Sequence, residues 1–167
     1  MHPAAWEIQR LLEECDCRRQ RRSGPGGQHR NKVETAVVLT HRPTSITGEA
    51  SERRSQEQNR KQAIHRLRVH LALRVRCAAV GQPVPASETW QKYARAGRVA
   101  ISESNPDFPA VLAEAMDTVL ACDADVQAAA RWLGCTTTQL TRLLGTEPRG
   151  LTEVNVWRRE RGLRPLR

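Results

Sequence analysis

Two adjacent glycines followed by a glutamine, Gly26-Gly27-Gln28, stand in a stretch too rich in Gly and Pro to form a helix or a strand. Glycine reaches positive φ without steric cost and lets a backbone approach its partner closely. With no side chain at 26 or 27, the backbone N–H of Gln28 can be offered at the tip of a loop whose approach Pro25 stiffens. N–H groups held ready for a developing negative oxygen stabilise charge in a transition state. The competing reading is an ordinary Gly-rich turn in a nucleic-acid-binding domain, and spacing alone favours it, because short motifs match often by chance. The sequence shows no Ser/His/Asp constellation. His29 and His41 titrate near neutrality, but a lone histidine is more often an RNA contact or a structural group than a base.

Such a loop needs a surface that carries it to its target, and the charge pattern supplies a candidate. The chain has 167 residues and a formal net charge of +9, with a pI near 10.3, which points to a polyanion. The charge is uneven: residues 1–76 carry a net +8, residues 77–157 a net −3, and residues 158–167 a net +4. Arg18, Arg19, Arg21, Arg22, Arg30, Lys32, Arg53, Arg54, Arg60 and Lys61 flank the loop and the start of a long predicted helix. A solvated charged face is the usual meaning of such a run, and phosphate contact is the alternative. A membrane span is excluded, since no run of ~18 apolar residues occurs. No secretory h-region is present near the N-terminus, and the five cysteines are odd in number, so reduced thiols and a cytoplasmic location are expected. No C-x-x-C occurs and the five histidines are scattered, so neither a metal nor a cofactor is expected.

Stepping along the chain, residues 4–13 predict a short helix with Ala4, Ile8, Leu11 and Leu12 on one face. Residues 14–22 predict an edge strand, residues 35–41 a β-branched strand, and residues 46–50 a second strand after a turn at Arg42-Pro43-Thr44. Ser55 and Gln58 fit a capping box opening a helix to about Cys77, with Ile64, Leu67, Leu71 and Val75 as its buried stripe. Gly81-Gln82-Pro83-Val84-Pro85 breaks the chain. Beyond it, helices are predicted over 87–96, 109–121 and about 151–161, and residues 128–144 have the spacing of a helix-turn-helix with Gly134 at the turn. Trp132, Leu133, Leu140, Leu143 and Leu144 are assigned to its core. The expected architecture is α+β: a small sheet with a long packed helix (residues 1–80), a linker (81–86), and an all-α C-terminal domain with a short basic tail (87–167).

Around the loop, the run from Arg22 through Gln28, His29, Arg30, Asn31 and Lys32 to Val37, then Thr40-His41 with Pro43-Thr44, then Glu52-Arg53 with Ser55-Gln56, closely resembles the catalytic domain of bacterial-type (class I) peptide chain release factors. The same domain occurs in stop-codon-independent ribosome-rescue hydrolases. The resemblance covers about residues 14–77, with one departure: Arg30 stands where the family usually has Val or Ile. It implies a loop that enters the peptidyl transferase centre of the large ribosomal subunit and promotes attack of water on the peptidyl-tRNA ester. Carried over, Gly26 and Gly27 supply backbone geometry. The Gln28 N–H stabilises developing charge, and its side-chain amide places water and excludes bulkier nucleophiles. Arg21, Arg22, His29, Arg30, Asn31, Lys32, Arg53, Arg54, Arg60 and Lys61 become ribosomal RNA contacts, and the chain acts as a monomer without stop-codon specificity, since nothing outside 14–77 resembles a codon-reading domain.

Two alternatives stay open. The helix-turn-helix suggests DNA readout, but its second helix carries only Arg142 and its surround is acidic, so a docking appendage for ribosome or protein is favoured. The whole chain could also be a non-catalytic RNA- or DNA-binding protein that uses the basic face and the helix-turn-helix.

Overall fold

A computed structural model describes residues 1–20 and 35–167. Gly26, Gly27 and Gln28, and with them Arg21, Arg22, His29, Arg30, Asn31 and Lys32, lie outside the described residues. The chain divides into two compact units: Trp6–Leu71, and Met1–Ala5 together with Ala72–Arg167. The first is α+β and the second mainly helical. Residues 81–86, the expected linker, contain neither helix nor strand.

In the first unit a short helix α1 (Ile8–Glu13) leads into an antiparallel sheet of β1 (Cys15–Gln20), β2 (Ala36–His41) and β3 (Ile46–Ala50), in that order across the sheet. β2 is central, and Ala36, Val37, Leu39 and His41 on it are buried; the β-branched and apolar run at 35–41 reflects that position. β1 is an edge and its residues from Asp16 to Gln20 are exposed, which suits its charged composition. The helix expected over 4–13 is not continuous. Pro3–Ala5 form a 3₁₀ turn, and the backbone is extended at Glu7 (ψ 142°) before α1 starts, which leaves Ile8 44% exposed while Leu11 is fully buried.

The long helix α2 (Gln56–Arg74) opens as the capping pattern predicts: the Ser55 hydroxyl accepts from the Gln58 N–H at 3.4 Å. Ala63, Ile64, Leu67 and Leu71 are buried. A Cβ on Gly48 of β3 would fall 2.5 Å from the Ala63 carbonyl oxygen and 2.4 Å from the Leu67 nitrogen, so glycine is what lets sheet and helix close to this distance. The helix ends at Arg74, short of the expected Cys77, and Val75 therefore lies past it and only half-buried. The Arg76 guanidinium donates back to the Ala72 carbonyl, satisfying one acceptor that the helix end leaves open.

The second unit packs around α4 (Phe108–Ala121), where Phe108, Val111, Leu112, Met116 and Val119 are fully buried. α3 (Glu88–Tyr93) is capped by Ser87, α5 (Val126–Trp132) by Asp125, α6 (Thr137–Thr146) by Thr136 and α7 (Pro148–Glu160) by Glu147, each side chain accepting from backbone N–H groups of its helix. Gly134 sits between α5 and α6 with φ +68°, the left-handed conformation the turn requires. The helical half also holds a hairpin that the sequence reading did not include: β4 (Ala94–Arg95) and β5 (Arg98–Val99), joined through Ala96 and Gly97, both at positive φ.

One expectation for this unit is corrected. Leu133, Leu140, Leu143 and Leu144 are core residues, but Trp132 is 49% exposed. Its indole N–H is drawn to the Val84 carbonyl at 2.7 Å, a partner that lies at the surface. The basic tail begins inside the last helix, as the helix expected over about 151–161 implies. Arg158 and Arg159 lie inside α7, Arg158 donates to the Ala124 and Arg164 carbonyls, and Arg161 pairs with Asp123 at 2.5 Å.

Candidate functional site

The frame that would hold the glycine-rich segment is built from pairs distant in sequence. In the β1–β2 ladder Gln20 is the partner of Ala36, so the chain leaves and re-enters the sheet side by side at one end of it. The re-entry is held a second time. Asn59, fully buried on α2, donates through Nδ2 to the carbonyls of Thr35 and Arg53, both at 2.8 Å, and its Oδ1 accepts from the Arg53 N–H at 2.9 Å. Three hydrogen bonds satisfy this amide and offset its burial. One side chain thus fixes Thr35, where the described chain resumes, and the segment that leads into α2.

The same contact fixes where cations are presented. Arg53 is held by its backbone while its side chain is exposed, and Arg54, Arg60 and Lys61 are exposed beside it along the start of α2. Lys61 reaches Glu57 only at 4.0 Å on the same exposed face. On β1, Arg18 and Arg19 are exposed opposite Val38 and Val37. Arg66 differs: it is tied to Glu52 at 2.6 Å and to the Glu49 carbonyl, and that hydrogen bond holds the Glu52 carboxyl below its ordinary range. It therefore serves the fold.

His41 is a structural group. Its ring is 1% exposed, Nδ1 meets the Thr44 hydroxyl at 2.8 Å, and the ring stands edge-on to Trp6 with centroids 6.1 Å apart. Nε2 lies 3.7 Å from a Glu14 carboxylate oxygen, too far for a hydrogen bond. Burial pulls its pKa below the ordinary value despite that carboxylate.

All five cysteines are free. Burial pushes the Cys15 and Cys135 thiols up to about 11, and raises Cys77 and Cys122 as well, so none of these four is an activated nucleophile. Among the described residues His2, Cys77 and Asp117 bring metal-capable atoms within 4.8 Å of one another. Both His2 nitrogens are engaged, Nδ1 accepting from the Ala4 N–H and Nε2 facing the Val75 carbonyl, and Asp117 accepts from Arg76 and from the Cys77 N–H. The group holds the start of the chain and the residues after α2 to α4. No helix among the described residues is long and apolar enough to cross a membrane.

Asn59 was not singled out from the sequence. The signal was present, since residues 59, 63 and 67 share one face of α2 and a polar residue stands in the phase of the buried stripe.

Comparison with known proteins agrees with this frame. The RF-1 domain family matches residues 6–103, a span that contains the glycine-rich segment, the three-stranded sheet, α2 and the β4–β5 hairpin. Peptide chain release factor 1 of Acidiphilium cryptum is 44% identical over 79 residues, which is 46% of this chain and 22% of that protein. Peptide chain release factor 1 of Symbiobacterium thermophilum is 51% identical over 53 residues, 32% of this chain and 15% of that protein. The same factor of Lactiplantibacillus plantarum is 41% identical over 71 residues, 41% of this chain and 20% of its own length. The chain thus spans about a fifth of the length of the curated relatives it matches.

Proposed function

Because the chain belongs to the RF-1 domain family, we propose that it is a ribosome-dependent hydrolase of the peptidyl-tRNA ester, acting in translation termination or in rescue of stalled ribosomes, without stop-codon specificity. The observation that carries this reading is Gly26-Gly27-Gln28, flanked by Arg21, Arg22, His29, Arg30, Asn31 and Lys32, inside the matched span. In this reading water attacks the ester carbonyl carbon, the oxygen gains negative charge, and the bond to the tRNA ribose oxygen breaks as that oxygen takes a proton. The Gln28 N–H stabilises the oxyanion, its side-chain amide places the water, and the two glycines permit the approach. Ribosomal RNA is the partner of the exposed Arg53, Arg54, Arg60 and Lys61. The protein acts as a monomer in the cytoplasm and needs no cofactor.

The test is peptide release from purified ribosome complexes, with and without mRNA in the decoding channel. Gln28→Ala keeps the backbone N–H but removes the amide that places the water, and Gly27→Ala hinders the approach that aims that N–H; each should lower release sharply, and misplacing one preorganised donor alone usually costs about 10²–10³. Ribosome binding should stay nearly unchanged. Release by Gly27→Ala equal to the unaltered protein would overturn the assignment. Binding without release by the unaltered protein would leave the non-catalytic nucleic-acid-binding reading. Release only when a stop codon fills the channel would refute codon independence.

A further inference from the structure

The acids that make residues 77–157 net negative are largely spent inside the second unit. Asp107 accepts from the Tyr93 hydroxyl, Glu114 from Ser87, and Asp117 from Arg76. Asp123 pairs with Arg161, Asp125 caps α5, and Glu147 holds Arg149. Asp117, Asp123 and Glu147 are balanced locally by arginines. Within residues 77–157 four arginines are exposed with no ion pair among the described residues: Arg95 and Arg98 on the hairpin, Arg131 on α5 and Arg142 on α6.

The fold brings Arg98 to the same groove as Arg142, with Arg95 as its cross-strand partner. Arg95 and Arg98 are direct cross-strand partners in the β4–β5 ladder, an arrangement that is destabilising for like charges. The turn between them is tight, with Ala96 at φ +49° and Gly97 at φ +76°, and the first of these is a strained conformation for a residue with a Cβ. The hairpin is built onto the turn before α6: the Thr136 N–H donates to the Gly97 carbonyl at 3.0 Å, and Gln139 Oε1 accepts from the Val99 N–H at 3.4 Å. Arg98 and Arg142 consequently line one groove of about 460 Å³ between the hairpin and α6, with Gln139 and Thr146. A second groove of about 540 Å³ follows α6 on the side of the C-terminal residues, lined by Thr137, Thr138, Thr141, Arg142 and Arg167. Arg142 belongs to both, and no carboxylate lines either.

We propose that the hairpin and α6 form a second nucleic-acid site in the helical half of the chain, a strip from Arg98 through Arg142 to Arg167 that takes the phosphate backbone of duplex RNA. An anion bound at Arg98 relieves the repulsion that its pairing with Arg95 otherwise carries. Guanidinium groups and short hydroxyls are the usual phosphate donors. Apart from Arg142, which the strip uses for phosphate, the exposed face of α6 is poor in side chains that read base edges: Gln139 is engaged by the backbone of β5, and the rest are threonines and a glycine. Recognition is therefore independent of base sequence. The choice of RNA over DNA rests on the proposed ribosomal role, whereas the site itself rests on the geometry of this unit.

The experiment measures binding of the full chain to a labelled RNA duplex by fluorescence anisotropy, across a salt series, beside a DNA duplex of the same sequence. Each phosphate contact adds ~0.9 to the slope of log K against log salt, by analogy with B-DNA. Arg98→Gln with Arg142→Gln should therefore lower the slope by about 2, and the unaltered protein should lose about tenfold more affinity than this variant between roughly 50 and 200 mM salt. Arg98→Lys with Arg142→Lys should restore the slope, because lysine still offers a point charge, and that rescue separates phosphate contact from a folding defect. An unchanged slope in the double Gln variant overturns the proposal, as does failure of the unaltered protein to bind RNA, or tighter binding to DNA. Peptide release is read separately: no release by the unaltered protein, with the slope effect intact, refutes the hydrolase reading and leaves this site standing.

Discussion

The buried side chain of Asn59 and the backbone of Thr35, 24 residues apart, meet at 2.8 Å. Thr35 is where the described chain resumes after the glycine-rich segment, and Asn59 is one turn into the helix that carries the exposed cations. A single amide thereby couples the position of the returning strand to that of the basic surface, and it does so from the apolar side of α2, where no solvent competes.

Replacing that amide should be costly for its size. Asn59→Ala strands the Thr35 carbonyl and both backbone groups of Arg53, and each buried polar group left unpaired costs about 1–3 kcal/mol. Asn59→Asp keeps an acceptor for the Arg53 N–H but turns a carboxylate toward two carbonyls, so its stability should improve as the pH falls and the acid protonates. Urea unfolding of both variants at neutral and mildly acidic pH checks this. Equal stability of the alanine variant and the unaltered protein would refute the coupling.

Gly48→Ala tests the sheet–helix contact. The added Cβ meets backbone atoms of Ala63 and Leu67, which cannot swing aside as a flexible side chain can. Overpacking of this kind usually costs about 1–3 kcal/mol. Thermal unfolding should show a lower midpoint, whereas Gly162→Ala, at a position with open space around it, should show only the effect of its positive φ.

Stability should fall on the acid side of neutrality through His41. Burial lowers its folded pKa below the ordinary 6.5, so between those two values the unfolded chain binds more protons than the folded one. Its contribution is complete above about 6.5 and is lost as the pH drops toward the folded value. Glu14 and Arg42 are the charged groups that face it, the carboxylate raising and the guanidinium lowering its pKa. His2 is drawn down by burial in the same direction, so His41→Gln should flatten the acid limb of a stability–pH curve in part. An unchanged limb would show that His41 does not titrate with folding.

Charge reversal at Arg53 and Arg54 should weaken ribosome binding without unfolding the protein, because both side chains are exposed and only the Arg53 backbone is structural. If on the order of six phosphates are contacted, affinity of the unaltered protein should fall by ~10³ between about 50 and 200 mM salt. Co-sedimentation with ribosomes across that range is the measurement, and a flat dependence would mean the face is only solvated.

Local pattern was enough for much of this architecture. Ile46–Ala50 is a strand as its composition implied, and Ser55 opens α2 as its spacing to Gln58 implied, because strand propensity and helix capping act between residues a few positions apart. The family could be read from the residues around Gly26-Gly27-Gln28, and the RF-1 domain match over 6–103 agrees, although that segment itself lies outside the described residues. Other features depended on the tertiary structure. Val75 lies outside its helix, where Arg76 folds back on Ala72, and Trp132 lies outside the core, where its N–H meets the Val84 carbonyl. The hold of Asn59 on Thr35, and the meeting of Arg98 with Arg142, join residues 24 and 44 positions apart. No periodicity encodes such pairs. They follow from how strands register and helices pack.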